Sequence, residues 1–236
     1  NEDVDVFGSA RSGSSERSVK RRLSEHASST LLNLAKQYKV SVATLVQAIC
    51  SEWLVGYFNK PLVYGSVLST REFEINDDYL GPFINTVPMQ VSTDITSGGL
   101  RDTAIHIQEQ AMSMSRAKHV PLRDIAGLVP SHSLFFDIIL TITTIPVRDS
   151  QGLYKVAWTH EHTGFPLSID IDVTQPISIS FTSVLDQKDF DVIKAIQSFV
   201  DYCSERILNQ KDPVHIEPYI PFPRKSVSGF PVAHGL

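Results

Sequence analysis

The sequence predicts an α+β fold, an α/β sandwich in which a mixed β-sheet carries its helices mainly on one face. Three observations predict it. Apolar residues recur at helical spacing in three stretches, over 28–58, 100–118 and 190–207. Between them lie strand-length segments that are continuously apolar or alternate apolar with polar. Helices and strands also mix without strict βαβ alternation, which argues against a doubly wound parallel sheet.

The elements follow in order. Residues 1–27 form an expected loop or linker: Gly8 to Ser15 is small and polar, and Arg11, Arg17, Lys20, Arg21 and Arg22 add charge. A first helix begins at Ser28 or Ser29 and carries Leu31, Leu34, Ala35 and Tyr38. Ser41 caps a second helix that runs to Phe58 and ends at Asn59-Lys60-Pro61. Its apolar residues, from Val42 through Trp53 and Leu54, cover more than a narrow stripe, so it is expected to be largely buried. Leu62 to Ser69 reads as a strand covered on both faces. Phe83 to Val91 is a second strand, in which Pro88 indicates an edge, a bulge or a crossing segment. Leu100 to Lys118 is helical, and Pro121 and Pro130 bracket an irregular stretch. Four strands follow, over 134–144, 154–160, 165–173 and 177–182. In the last two, Phe165, Leu167, Ile169, Ile171 and Val173, then Ile177, Ile179 and Phe181, alternate with Pro166 and with Ser, Asp and Thr, the pattern of half-buried strands. Asp186 or Asp189 caps a final helix through Ile207. The segment 212–236 holds five prolines and reads as a tail or linker.

Composition narrows the function. Of 236 residues, 42% are hydrophobic, 20% charged and 9% aromatic, which excludes a disordered tail, a collagen-like fibre and a disulfide-stapled miniprotein. A net charge of -5 removes the electrostatic footprint of nucleic-acid binding. No apolar run reaches the roughly 20 residues that span a bilayer. Only Cys50 and Cys203 occur, both in helical patterns, as expected of buried apolar thiols in the cytoplasm.

Few residue patterns point to chemistry. His160 and His162 share one face of a strand but lack a third ligand at metal-site spacing. Asp170 and Asp172 share a face opposite apolar residues and read as solvated, not as a glycosidase pair. His106 and His119 have no evident nucleophile beside them, and no GxSxG elbow, Walker loop or dinucleotide fingerprint is present. The informative segment is 75–89. Gly81-Pro82 sets a turn directly into a strand, and Asn85-Thr86 interrupts the apolar run with two hydrogen-bonding side chains. Such groups hold a neighbouring loop, face a substrate channel, or bond locally to the backbone.

That segment resembles the GxFxNT motif of nonribosomal peptide synthetase condensation domains, with Gly81, Phe83, Asn85 and Thr86 at the motif positions. Residues 62–72, ending in Thr70-Arg71-Glu72, resemble the strand and arginine upstream of it. His119-Val120-Pro121-Leu122 and Leu134-Phe135-Phe136-Asp137 resemble later family segments, in the family's order. The family's catalytic HHxxxDG signature, or the SHxxxD form of terminal cyclising members, is absent. Ser131-His132 is followed at the aspartate offset by Phe136.

The resemblance therefore implies the C-terminal lobe of a chloramphenicol-acetyltransferase-like pseudo-dimer. Residues 1–27 would be the inter-lobe linker, 28–211 the lobe and 212–236 a tail. It implies an acyltransferase that forms an amide or ester from carrier-tethered thioesters, in elongation or in terminal cyclisation and release. Gly81, Pro82, Phe83, Asn85 and Thr86 would line the floor of the inter-lobe cleft, with Arg71 nearby; an ion pair of Arg71 with Glu72 or Glu74 is the alternative. No residue of this chain would be catalytic. No cofactor or metal would be bound directly, the phosphopantetheine arm being the substrate carrier. Partners would be the N-terminal lobe and peptidyl or acyl carrier domains, with no nucleic acid or membrane. The alternatives are a non-catalytic docking or scaffold lobe and an epimerisation-type relative.

Overall fold

The structure is a computed structural model that describes residues 5–11, 14–70, 83–128, 136–144, 163–174, 176–186 and 189–208. Seven strands form one sheet in the order β1-β2-β7-β6-β5-β3-β4. They are β1 Asp5–Arg11, β2 Ser14–Arg22, β3 Leu62–Ser69, β4 Ile84–Val91, β5 Ile138–Thr143, β6 Leu167–Asp172 and β7 Ser178–Ser183. The pairs β3–β5 and β5–β6 are parallel and the other four are antiparallel, so the sheet is mixed as expected. The helices are α1 Glu25–Tyr38, α2 Val42–Phe58, α3 Thr93–Thr96, α4 Leu100–Ser115, α5 Leu122–Ala126 and α6 Val192–Leu208.

Side-chain parity shows one face under the helices. Leu167, Ile169 and Ile171 of β6, with Ile179 and Phe181 of β7, are buried together with α2 and α6 in one core. Trp53 of α2 stacks on Tyr57 at 4.6 Å and meets Phe181 and Phe199 at 5.5 and 5.2 Å, joining helix to sheet. Its indole N–H donates to Ser198 Oγ at 3.2 Å, so the buried polar atom is satisfied. Helix α2 is buried almost throughout, as its broad apolar surface predicts.

The loop expected over residues 1–27 is replaced by β1, β2 and the start of α1. Strand β2 forms because its backbone pairs with β7 from Arg17↔Ser183 to Arg22↔Ser178, and because Val19 reaches the core. The Arg17 guanidinium also donates to the carbonyls of Leu185 and Phe190 at 3.3 Å each. Tertiary pairing thus outweighs the polar composition. Helix α1 starts earlier than Ser28 because Ser24 caps it, accepting from Ala27 N at 3.1 Å. The last helix, in contrast, starts later than Asp186 or Asp189. Asp186 O accepts from Asp189 N and Phe190 N in a separate turn, and Asp191 Oδ1 caps α6 through Ile193 N and Lys194 N.

Strand β4 is an edge strand, consistent with Pro88, and its outward backbone at Gln90 is closed by a side chain. Gln110 of α4 accepts from Gln90 N at 2.9 Å and donates to Gln90 O at 3.1 Å. Strand β3 is paired on both sides; among the described residues, helices cover one of its faces and the Phe136 ring lies against Gly65 on the other. The stretch between Pro121 and Pro130 contains α5. The strand expected over 134–144 is β5, which starts only at Ile138; residues 134 and 135, the strand expected at 154–160 and the tail 212–236 lie outside the described residues.

Candidate functional site

The face of the sheet turned away from the helices is the candidate site. Tyr64 and Ser66 of β3 bond to Gln47 of α2 at 3.0 and 3.2 Å, so they point into the helical layer. Gly65 between them faces the other way. The register then runs across the sheet as Ser18, Thr182, Ser168, Ile139, Gly65 and Pro88. A second row runs Lys20, Ser180, Asp170 and Thr141, and a third Arg22, Ser178, Asp172 and Thr143. This face is therefore rich in hydroxyls, with charged side chains toward one end. Thr182 Oγ1 donates to Ser18 Oγ at 2.9 Å, and Thr163 and Ser168 share a hydroxyl pair at 2.5 Å. Asp172 accepts from Thr174 N at 2.8 Å, a turn contact that closes the end of β6.

An aromatic pair interrupts the polar surface. Phe136 stacks on Phe165 with ring centroids 5.4 Å apart and planes at 20°. A Cβ on Gly65 would overlap the Phe136 ring at Cε2 and Cζ and come within 2.7 Å of Thr86 Cγ2. Gly65 is thus the slot that admits the ring.

The motif residues separate across the sheet. Thr86 is half-buried on the helix-free face beside Gly65 and Phe136. Asn85 turns to the helical side, where Nδ2 donates to Lys118 O at 2.8 Å and Val120 O at 2.7 Å. Asn85 fills two of the roles open to it, because it holds the loop after α4 and its Oδ1 also accepts locally from Thr86 N at 2.9 Å. Phe83 O accepts from Thr70 N at 2.8 Å, ending the β3–β4 pairing. Arg71, Gly81 and Pro82 lie outside the described residues, as do His132, His160 and His162.

Beneath this face, on the helical side, a buried carboxylate ties three helices. Glu52 of α2 accepts from Arg206 Nε at 2.8 Å and from Arg206 Nη2 at 3.1 Å. It also accepts from Tyr202 Oη and Thr103 Oγ1, each at 2.8 Å. Burial works against the Arg206 charge. The Glu52 hydrogen bonds and charge outweigh it, so the guanidinium pKa stands above its ordinary value. Burial raises the Tyr202 phenol pKa, and the adjacent Glu52 charge raises it further. Burial is also the leading cause of the raised Cys50 and Cys203 thiols. Sequence patterns did not find this network, because its members stand up to 154 positions apart. The slot at Gly65 did leave a signal, a glycine inside an apolar strand.

Among the described residues no group of three His, Cys, Asp or Glu is placed to hold a metal ion. Nor is any single described helix long and apolar enough to cross a membrane. The three described histidines, His26, His106 and His119, belong to α1, α4 and the loop after α4, not to the strands of the sheet.

A family model for the condensation domain matches residues 8–210. The chain belongs to the condensation domain family. The match takes in β2 and part of β1, which agrees with their place in the sheet. The chain is 23% identical over 209 residues to bacitracin synthase 3 of Bacillus licheniformis, covering 82% of this chain and 3% of that protein. It is 32% identical over 135 residues to surfactin synthase subunit 3 of Bacillus subtilis (strain 168), covering 55% of this chain and 10% of that protein.

Solved structures share the fold. The condensation domain from the monacolin K polyketide synthase MokA matches with a TM-score of 0.66 at 13% identity, over 85% of this chain and 50% of that one. The X-domain from teicoplanin biosynthesis matches with a TM-score of 0.64 at 15% identity, over 88% and 51%. This condensation-family chain therefore spans about half the length of those single-domain structures, and a small part of the synthetases.

Proposed function

We propose that this chain is one lobe, the C-terminal one, of a condensation-type acyltransferase, and that the sheet face turned away from the described helices walls the cleft where the reaction occurs. The observation that carries this reading is the hydroxyl-rich face turned from the described helices, with Thr86 of the GxFxNT motif on it, in a chain half as long as the domains it matches. In the reaction an amine nitrogen bonds to a thioester carbonyl carbon. The C–S bond breaks, and the departing thiol takes the proton that the amine gives up. This lobe contributes position and exclusion of water, which convert a bimolecular encounter into an oriented one. The imidazole that moves the proton belongs, in this reading, to the other lobe, as does the opposite wall.

The substrates are carried on phosphopantetheine arms of carrier domains, which are the partners of this reading together with the N-terminal lobe. Cyclising release is the same chemistry with donor and acceptor on one molecule, and it is a finer form of the proposal. A cytoplasmic location completes it, supported by two buried free thiols. The test joins this chain to a lobe carrying an HHxxxDG or SHxxxD motif and supplies two carrier-loaded substrates. Amide formation that needs both lobes is the expected result. Binding of carriers without any product, from an intact pair, would favour a docking lobe instead.

A further inference from the structure

The Thr163–Phe165 turn and the Gly65 slot are more elaborately built than a cleft wall requires. Gly164 has φ +73°, a left-handed conformation that glycine takes without strain. Thr163 Oγ1 accepts from Phe165 N at 3.3 Å and pairs with Ser168 Oγ, so the turn is tied to β6. The turn delivers Phe165 onto the buried Phe136 ring, whose edge fills the space that Gly65 leaves. Phe165 remains half-buried while Phe136 is only 7% exposed, so Phe165 is the outer ring of the stack. Among the described residues, the rows beside it toward β2 carry hydroxyls and charges, so the stack is an apolar platform on a polar wall.

From this arrangement we infer that Phe165 is a specificity-determining residue, with Phe136 and Gly65 as positioning residues beneath it, for the apolar side chain of a thioester-borne aminoacyl substrate. The inference rests on the functional reading above. A ring face held rigidly from below presents area for an apolar group at little entropic cost. The hydroxyls of Thr163 and Ser168 are paired with each other, one donating to the other.

The experiment uses the chain joined to its second lobe and single-turnover condensation of pantetheine thioesters. Substrates with a benzyl side chain are compared with those bearing a methyl, first at the donor position and then at the acceptor. Phe165→Ala is expected to lower the benzyl-to-methyl kcat/KM ratio about tenfold at one of the two positions. Phe165→Tyr keeps the preference, because the ring face remains. Phe136→Leu gives an intermediate loss, because Phe165 then lacks support. A ratio unchanged at both positions in folded Phe165→Ala protein, checked by near-UV circular dichroism, overturns the inference. Should Phe136→Leu fail to fold, the half-buried Phe165 variants still decide. Wild-type protein that forms no amide overturns the functional reading as well, whereas amide formation with a flat ratio overturns the inference alone.

Discussion

Replacing Glu52 by Leu gives the sharpest stability test. The substitution keeps an apolar group of similar length in the core but removes the acceptor of four hydrogen bonds. Arg206 is then a buried guanidinium that has lost the Glu52 charge, a loss of about 3–5 kcal/mol. Thr103 Oγ1 retains Gly99 O at 3.1 Å, so the Tyr202 hydroxyl bears the other loss, at about 1–3 kcal/mol. Arg206→Met alone strands the carboxylate and costs about 3–5 kcal/mol. Both changes together remove the charge pair as a unit, so the double variant is expected to lose only about 1–3 kcal/mol. Against a typical stability of about 5–15 kcal/mol, each single change is severe and the double is mild. Urea unfolding of the four proteins, followed by tryptophan fluorescence, measures the coupling. Losses in the two single variants that simply add in the double would refute the reasoning.

Three further outcomes follow from the same structure. Asn85→Ala releases the Lys118 and Val120 carbonyls to water, which is expected to cost about 0.5–1.5 kcal/mol and to speed amide exchange in the loop after α4, measured by hydrogen exchange. Gln110→Ala uncovers the Gln90 amide and carbonyl at the sheet edge; faster exchange at Gln90 and concentration-dependent light scattering are expected, with the melting temperature little changed. Stability should fall as pH rises above about 8.5, the ordinary thiol pKa, because the unfolded chain then sheds protons that the buried Cys50 and Cys203 retain. The slope is at most about 1.4 kcal/mol per pH unit for each thiol and is full-strength only above the unfolded pKa; below about pH 10, where the buried Tyr64 and Tyr202 begin to contribute in the same sense, it disappears in Cys50→Ala/Cys203→Ala protein.

Period and punctuation made the helical layer legible. Ser41 and Asn59 bound α2 where the sequence places them, and Pro88 marks an edge strand. Period-two alternation also placed Asp170 and Asp172 opposite the core of β6. What stayed hidden depends on partners far along the chain. Strand β2 reads as a charged loop until β7 pairs with it, because Arg17 and Arg21 occupy inward positions that a pattern reserves for apolar residues. At the site, the motif announced Asn85 and Thr86 together. Adjacent strand residues point to opposite faces, so Asn85 holds a loop while Thr86 lies beside Gly65 on the other face. Phe165 reads from the sequence as the first core-facing residue of the alternation that continues in Leu167, but β6 starts only at Leu167, and the turn before it carries Phe165 onto the Phe136 ring beside Gly65, a partner no local pattern shows.

The carboxylate of Glu52 sets an order on biosynthesis. It leaves the ribosome before Tyr202 and Arg206, which hold it and come from the last described helix. Strand β2 likewise waits for β7. The nascent polypeptide therefore cannot settle its helical layer piece by piece, and consolidation is expected as one late, slow event dominated by distant contacts.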